Sequence, residues 1–333
     1  MIRFVQLKHP KQGRRVAVVQ GEKLRLLRLW RALFDLASTA ITKKKSLADL
    51  AAGSLSNEIL DYDAVYFGSS AWKFLPAFDH PDESARCLVT GTGLTHQASA
   101  KNRQAMHSAK KSAWTDSMKM YQWGVEGGRP KPGKIGVPPE WFYKGHGDIL
   151  RAHNEPLDVP SFGGDGGDEA EVAGAYIIDS AGRPHRVGLV LGNEFSDHVI
   201  ERKNYLYLAP SKLRCCSLGP ELMVDADFSE AHGTVKILRK GKVIWSSGFT
   251  TGEKNMSHTV ANLEHHHFKY PQHRRPGDAH IHFFGADVFS FGSNIKLKDG
   301  DVMEIELPGF GRPLRNPIKM DRSKAQFVKV PSL

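Results

Sequence analysis

The sequence predicts an α+β, strand-rich fold, and three observations predict it. Short apolar runs such as Val187-Gly-Leu-Val-Leu191 and Val302-Met-Glu-Ile-Glu-Leu307 recur along the chain and are bounded by Gly, Pro and Asp. The stretch from Gly233 to Gly248 reads as a hairpin with its turn at Arg239-Lys-Gly-Lys242. Helical spacing is read in only two long stretches, 22–38 and 97–123. With 333 residues the chain divides naturally into a small N-terminal α+β domain, 1–85, and a larger domain, 86–333.

Composition bounds the function classes. Apolar content of 40% and charged content of 25% belong to globular proteins. No apolar run reaches the ~20 residues that span a bilayer, and the N-terminus lacks a basic-then-apolar signal pattern. Cys87, Cys215 and Cys216 give neither a disulfide framework nor metal-ligand spacing, so a cytoplasmic protein is expected. The net charge of +10 raises the possibility of a nucleic-acid partner. Its basic clusters, Lys43-Lys-Lys45, Lys110-Lys111 and Arg274-Arg275, are scattered and not interleaved with aromatic residues. An anionic small substrate explains a positive field equally well, so neither nucleic acid nor membrane is expected as a partner.

In chain order, residues 2–7 and 15–21 read as strands, and Leu24, Leu27, Trp30, Leu33, Phe34 and Ala37 read as a helix within 22–38. Nothing in this region suggests chemistry. The stretch from Cys87 to His96 is a strand opening into a Gly-rich turn, which lacks the lysine and further glycines of a phosphate loop. A polar helical stretch follows, then a Gly- and Pro-rich loop before Trp141-Phe-Tyr-Lys144. Gly163-Gly-Asp-Gly-Gly-Asp168 reads as a flexible approach, not a calcium loop. The histidine clusters at His265–His267 and at His280 and His282 lack the spacing of a zinc site and read as structural or substrate-proximal. Strands at 279–284 and 302–307 close the core, and the tail beyond Pro317 reads as a surface extension.

Chemistry is concentrated between Asp168 and Pro220. Glu169 and Glu171, two apart before an apolar run, point to one face of an extended segment. Carboxylates that close repel, and a divalent cation, magnesium or manganese, is the usual compensation. The second run delivers a third carboxylate, Glu194, at a strand end.

The order of Phe142-Tyr-Lys144, Glu169-Ala-Glu171, Asn193-Glu194-Phe-Ser196, Lys212, Gly219-Pro220, Pro276-Gly-Asp278, Gly285 and Lys298-Asp-Gly-Asp301 resembles the fumarylacetoacetate hydrolase (FAH) superfamily over residues 87–318. The resemblance implies a mixed β-roll or barrel catalytic domain and a likeness to homodimers. It implies metal ligands Glu169, Glu171 and Glu194, and catalytic residues Lys144, Lys212 and His96. Substrate contacts would come from Ser196, His198, Gly285 and Asp287, under a lid at 97–130. The substrate is then a 2-oxo acid, whose carboxylate and carbonyl oxygens chelate the metal. The lysines would neutralise its carboxylate or take the C3 proton, and His96 would assist the departing hydroxyl if it is the acid, the division of base and acid being left open.

Four departures narrow the reaction. Glu194 stands for the family aspartate, His198 for an arginine, and Gly285-Ala286-Asp287 for Gly-Thr-Pro, and Ser99 stands where a glutamate would complete a water-activating pair with His96. The Gly-Thr-Gly-Leu-Thr-His96 turn and the Gly192-Asn-Glu-Phe-Ser-Asp197 segment resemble the branch that dehydrates 2-keto-3-deoxy pentonates, derived from L-arabonate or D-xylonate, to 2,5-dioxopentanoate. The alternatives are a C–C hydrolase of 2,4-diketo acids and a 2-oxo acid decarboxylase.

Overall fold

A computed structural model describes residues 1–107 and 114–333. The Lys110-Lys111 pair and the middle of the expected lid lie outside the described residues. The chain opens with strands β1 (Ile2–His9), β2 (Gly13–Gln20) and β3 (Lys23–Leu27), then helices α1 (Leu33–Lys43) and α2 (Leu47–Ala52), strand β4 (Leu55–Asp61), helix α3 (Tyr62–Tyr66) and the short β5 (Lys73–Phe74). Next come β6 (Cys87–Gly93), helices α4 (Gln97–His107) and α5 (Asp116–Gly127), and strands β7 (Glu140–His146), β8 (Leu150–Arg151) and β9 (Leu157–Val159). A long hairpin, β10 (Ala170–Ile178) and β11 (Pro184–Asn193), leads through α6 (His198–Lys203) and α7 (Leu208–Lys212) to β12 (Cys216–Val224). A second hairpin, β13 (Ala231–Arg239) and β14 (Lys242–Thr251), precedes α8 (Val260–Phe268). Strands β15 (Ala279–Phe283), β16 (Val302–Glu306) and β17 (Leu314–Met320) follow.

The strands form two sheets, a mixed α+β, strand-rich architecture. Twelve make the larger, ordered β4-β3-β2-β1-β12-β11-β10-β15-β6-β7 with β5 on β1 and β8 on β12; five make the smaller, β14-β13-β16-β17-β9. Every residue of β10 is buried. A strand covered on both faces has no wet side to carry alternating polar residues, so its sequence is apolar almost throughout. Val172, Leu189, Leu191 and Met223 of the large sheet pack with Val235, Phe249 and Ile305 of the small one, and this shared core locks the sheets together.

The N-terminal strands join the same large sheet. β1 pairs antiparallel with β12, Ile2 opposite Val224 and Phe4 opposite Leu222, and Phe4, Leu33 and Leu36 pack in one core with Ala173 and Leu222.

The 22–38 stretch is not one helix. Lys23–Leu27 is a strand paired with β2, and the helix starts at Leu33. Leu24 and Leu26 are both buried, a period of two, while Leu24 and Leu27 also satisfy a helical spacing. The adjacent strand decides between the periods, because pairing satisfies the backbone there. The hairpin turn falls as expected, with Lys240 and Gly241 both at positive φ, 50° and 77°. The surface tail starts later than expected. β17 runs through Pro317 to Met320, with Ile318 buried opposite Leu157, and residues 321–333 are exposed. Among the described residues no helix is long and apolar enough to cross a membrane.

Candidate active site

The β10–β11 ladder sets the three carboxylates. Glu171 lies opposite Gly192 and Ala170 opposite Asn193, and the pairing continues past the strands, where Glu194 N–H donates to Glu169 O at 2.9 Å. Glu169 and Glu194 therefore face each other, and Glu171 lies two residues along on the same face. All three side chains are buried, with carboxylate oxygens within 4.8 Å of one another. Asn193 fixes this exit: its Oδ1 accepts from Glu169 N–H (3.1 Å) and Phe195 N–H (3.2 Å).

Two lysines from distant elements enter the cluster. Lys144 Nζ on β7 lies 2.5 Å from Glu194 Oε1 and donates to the carbonyls of Phe195 (2.7 Å) and Lys212 (3.1 Å). Lys212 Nζ at the end of α7 donates to Glu169 Oε1 (2.7 Å), Glu194 Oε2 (2.5 Å) and Ser196 Oγ (2.9 Å). Lys212 thus has an acceptor for each of its three protons, while Lys144 donates to two carbonyls and faces Glu194 Oε1 as an ion pair. Burial alone would lower the Lys212 pKa, but Glu169 and Glu194 outweigh it and hold the group above its ordinary value. Ser196 Oγ also reaches Glu194 Oε2 at 3.1 Å.

His198 begins α6, whose N-terminus is capped by Asp197 Oδ1 on Ile200 N–H (2.9 Å). Its Nε2 lies 2.9 Å from Glu169 Oε1, and its ring stacks on Phe289 with centroids 4.7 Å apart. Burial opposes its protonation, while the Glu169 carboxylate favours it and prevails. His198 thus keeps a nitrogen hydrogen-bonded to Glu169 at the position read as replacing an arginine.

Glu171 is the carboxylate without a cationic contact. Among the described residues its hydrogen-bond partner is the Gly285 N–H, at 2.8 Å. Burial, then Glu194 and Glu169, push its pKa well above the ordinary carboxylate range, and burial pushes Glu194 up to about 7. A buried oxygen-only donor set that repels its own third proton loss fits a hard divalent cation.

Gly285 has φ +101°, and a Cβ there would lie 2.0 Å from Thr95 Oγ1. Gly285→Ala is therefore expected to cost at least ~1 kcal/mol in urea unfolding, since alanine resists that φ and Thr95 must move. It should also weaken divalent-ion binding, because the N–H on Glu171 shifts with it.

Thr95 also sets the state of His96. Its hydroxyl proton goes to Phe284 O (2.7 Å), so its oxygen accepts from His96 Nδ1–H at 2.9 Å. The His96 proton is then on Nδ1, and Nε2 accepts from the Thr251 hydroxyl at 3.2 Å. Burial lowers the His96 pKa to about 4, with Asp287 opposing. His96 is therefore neutral at neutral pH, with its proton on Nδ1. Ser99 Oγ bonds His96 O at 3.0 Å, and no carboxylate reaches the ring by hydrogen bond among the described residues. Asp287 is half-buried, accepts from Thr250 N–H at 3.0 Å, and belongs to this second wall rather than to the glutamate cluster.

Several contributors carried no local signal. Asp168 is fully buried, accepts from the Ser290 N–H and hydroxyl, and is pushed up to about 6 by burial. Arg103 on α4 pairs with Glu140 (2.8 Å) and Glu201 (2.6 Å), tying that helix to β7 and α6. Asn193 was legible, since an asparagine at a strand end commonly bonds nearby backbone. The histidines do not form a metal centre: among the described residues only the three glutamates converge closely enough.

Fold and site together define a strand-rich α+β protein with a buried centre of three carboxylates and two ammoniums. No protein-family model matches the chain. Its fold is that of a hexagonal crystal form of 2-keto-3-deoxyarabinonate dehydratase, at TM-score 0.73 and 20% identity over 96% of this chain and 100% of that one. The 2-keto-3-deoxy-D-arabinonate dehydratase complexed with magnesium and 2,5-dioxopentanoate gives 0.71 and 20% with the same coverage. The 2-hydroxyhepta-2,4-diene-1,7-dioate isomerase from Mycobacterium marinum gives 0.59 and 14% over 97% of this chain and 100% of that one. In sequence, a curated Haloferax volcanii protein named "Probable 2-keto-3-deoxyxylonate dehydratase" is 28% identical over 130 residues, 38% of this chain. The chain spans 43% of that relative's length in the match.

Proposed function

We propose that the protein is a metal-dependent hydro-lyase that converts a 2-keto-3-deoxy pentonate, of the L-arabonate or D-xylonate series, to 2,5-dioxopentanoate. The observation that carries this reading is the buried convergence of Glu169, Glu171 and Glu194 against Lys144 and Lys212. The names of the curated relative and of the magnesium- and product-bound neighbour support the same chemistry.

Magnesium or manganese held by the three glutamates would supply Lewis-acid chemistry to the oxygens of a 2-oxo acid. Lys144 and Lys212 are fixed ammoniums, so they hold positive charge near the substrate carboxylate and take no proton. Ser196 and His198 keep Lys212 and Glu169 in place. His96 Nε2, whose lone pair the Thr251 hydroxyl holds at 3.2 Å in the ligand-free site, accepts the C3 proton once that hydroxyl turns away. An imidazolium held near pKa 4 is then a strong acid, and it returns that proton to the C4 hydroxyl as the C4–O bond breaks and water leaves. The C3=C4 alkene then loses a C5 proton to solvent and takes one at C3, which moves the double bond to C4=C5, and the resulting enol gains a proton at C4 and loses its O–H proton to give the aldehyde. Hydrolysis of 2,4-diketo acids is disfavoured because His96 lacks the carboxylate partner that would activate water.

A lid at 97–130 is proposed over this site; of its described parts, α4 is held by Arg103 to Glu140 and Glu201. We further propose a cytoplasmic homodimer with a small N-terminal domain at 1–85; three buried free thiols suit a reducing compartment.

The protein, supplied with magnesium and each C4 enantiomer in turn, should release semialdehyde and no pyruvate. His96→Ala should abolish exchange of C3 protons with deuterated solvent. Faster cleavage of acylpyruvates than dehydration of either enantiomer would sink this reading.

A further inference from the structure

A second constellation lies at the end of β15 opposite Gly285, away from the glutamates. A cavity of about 520 Å³ there is lined by Arg86, Arg275 and Asp278, with His146, His273 and His280 around it. Asp278 draws the two guanidiniums together: Oδ1 accepts from Arg86 Nε at 3.0 Å, and both oxygens accept from Arg275 Nε at 2.9 Å. Arg86 spends one more N–H on Pro276 O, whereas the terminal nitrogens of Arg275 make no hydrogen bond among the described residues. Of these lining groups, two permanent cations face one carboxylate. Glu83, the other acid in the surroundings of Arg275, makes no ion pair with it.

The back wall supplies a further donor, and its proton can be placed from geometry alone. The indole of Trp141 only donates, so His267 Nδ1 accepts from it at 3.2 Å and carries no proton. The His267 proton is therefore on Nε2 and is donated to His280 Nδ1 at 3.0 Å. His280 then carries its own proton on Nε2, and that N–H has no partner among the described residues although the residue is only 1% exposed. A buried donor left unmatched costs free energy, and here it sits in a residue that lines a cavity with two arginines.

We propose that this cavity binds a small oxyanion, a phosphate or a carboxylate, through Arg86, Arg275 and His280, at a site separate from the glutamate centre. Paired guanidiniums match such oxygens with two parallel N–H bonds each. The inference does not rest on the proposed dehydratase reaction.

Calorimetric titration of the full chain with inorganic phosphate, and separately with malonate, tests it. One equivalent of either probe should bind saturably, and the probe that binds identifies phosphate or carboxylate as the natural chemistry. Arg275→Ala should weaken binding at least tenfold, and its side chain is 59% exposed, so the fold survives the change. The indole fluorescence of Trp141, linked through His267 to His280, should also respond in the wild type and lose that response in a Trp141→Phe variant. No saturable binding of either probe, or equal affinity in Arg275→Ala, would overturn the proposal.

Discussion

Glu171→Gln should abolish both divalent-ion binding and turnover while leaving the metal-free protein at least as stable as the wild type. Glutamine keeps an oxygen for the Gly285 N–H, at 2.8 Å in the wild type, so local structure persists. It removes a charge that burial and two neighbouring carboxylates oppose. The sign of the pH dependence follows. A carboxyl whose folded pKa is raised contributes nothing while both states are protonated. As pH rises past its unfolded value, near 4.5, the unfolded chain releases the proton and the folded chain does not. The metal-free wild type should therefore lose stability from about pH 4.5 upward relative to the variant. Magnesium at 100 times its dissociation constant should restore ~2.7 kcal/mol to the wild type and nothing to Glu171→Gln. Thermal melts in chelator and in magnesium across pH 5–8 measure both effects. A variant that keeps magnesium-dependent stabilisation would remove Glu171 from the centre.

Lys212→Met should be the most destabilising single change in the site. It strips Glu169 and Glu194 of the ammonium at 2.7 and 2.5 Å that both share in a fully buried cluster. Removing one partner of a buried pair leaves an uncompensated charge and costs ~3–5 kcal/mol. Lys236→Met is the contrast, since its 3.1 Å pair with Glu304 is partly solvated, and exposed pairs contribute at most ~1 kcal/mol. Urea unfolding should show the large loss for Lys212→Met alone, and manganese should recover part of it by replacing the missing positive charge. Equal losses for the two variants would mean that the buried cluster is not electrostatically coupled.

The sequence by itself determined what depends on neighbours along the chain. The period of two places Glu169 and Glu171 on one face whatever else the protein does, because alternation is a property of the extended backbone. The apolar runs announced strands, and Lys240-Gly241 announced its turn through the φ that glycine permits. Tertiary structure decided everything that required a partner from elsewhere. Lys23–Leu27 became a strand because β2 lay beside it, although its leucines also fitted a helix. The protonation of His96 was decided the same way, because Thr95 and Thr251 fix its proton on Nδ1 and burial keeps it neutral. Lys144 and Lys212 were legible as residues of the site, but not as side chains held in place by buried carboxylates and carbonyls. The Arg86–Asp278–Arg275 group and the Trp141–His267–His280 chain left no trace in spacing. Arg275 and Asp278 are three residues apart, but the bonds of Arg86 to Asp278 and of Trp141 to His267 join residues far apart in the chain, and packing, not local backbone geometry, brings those groups together.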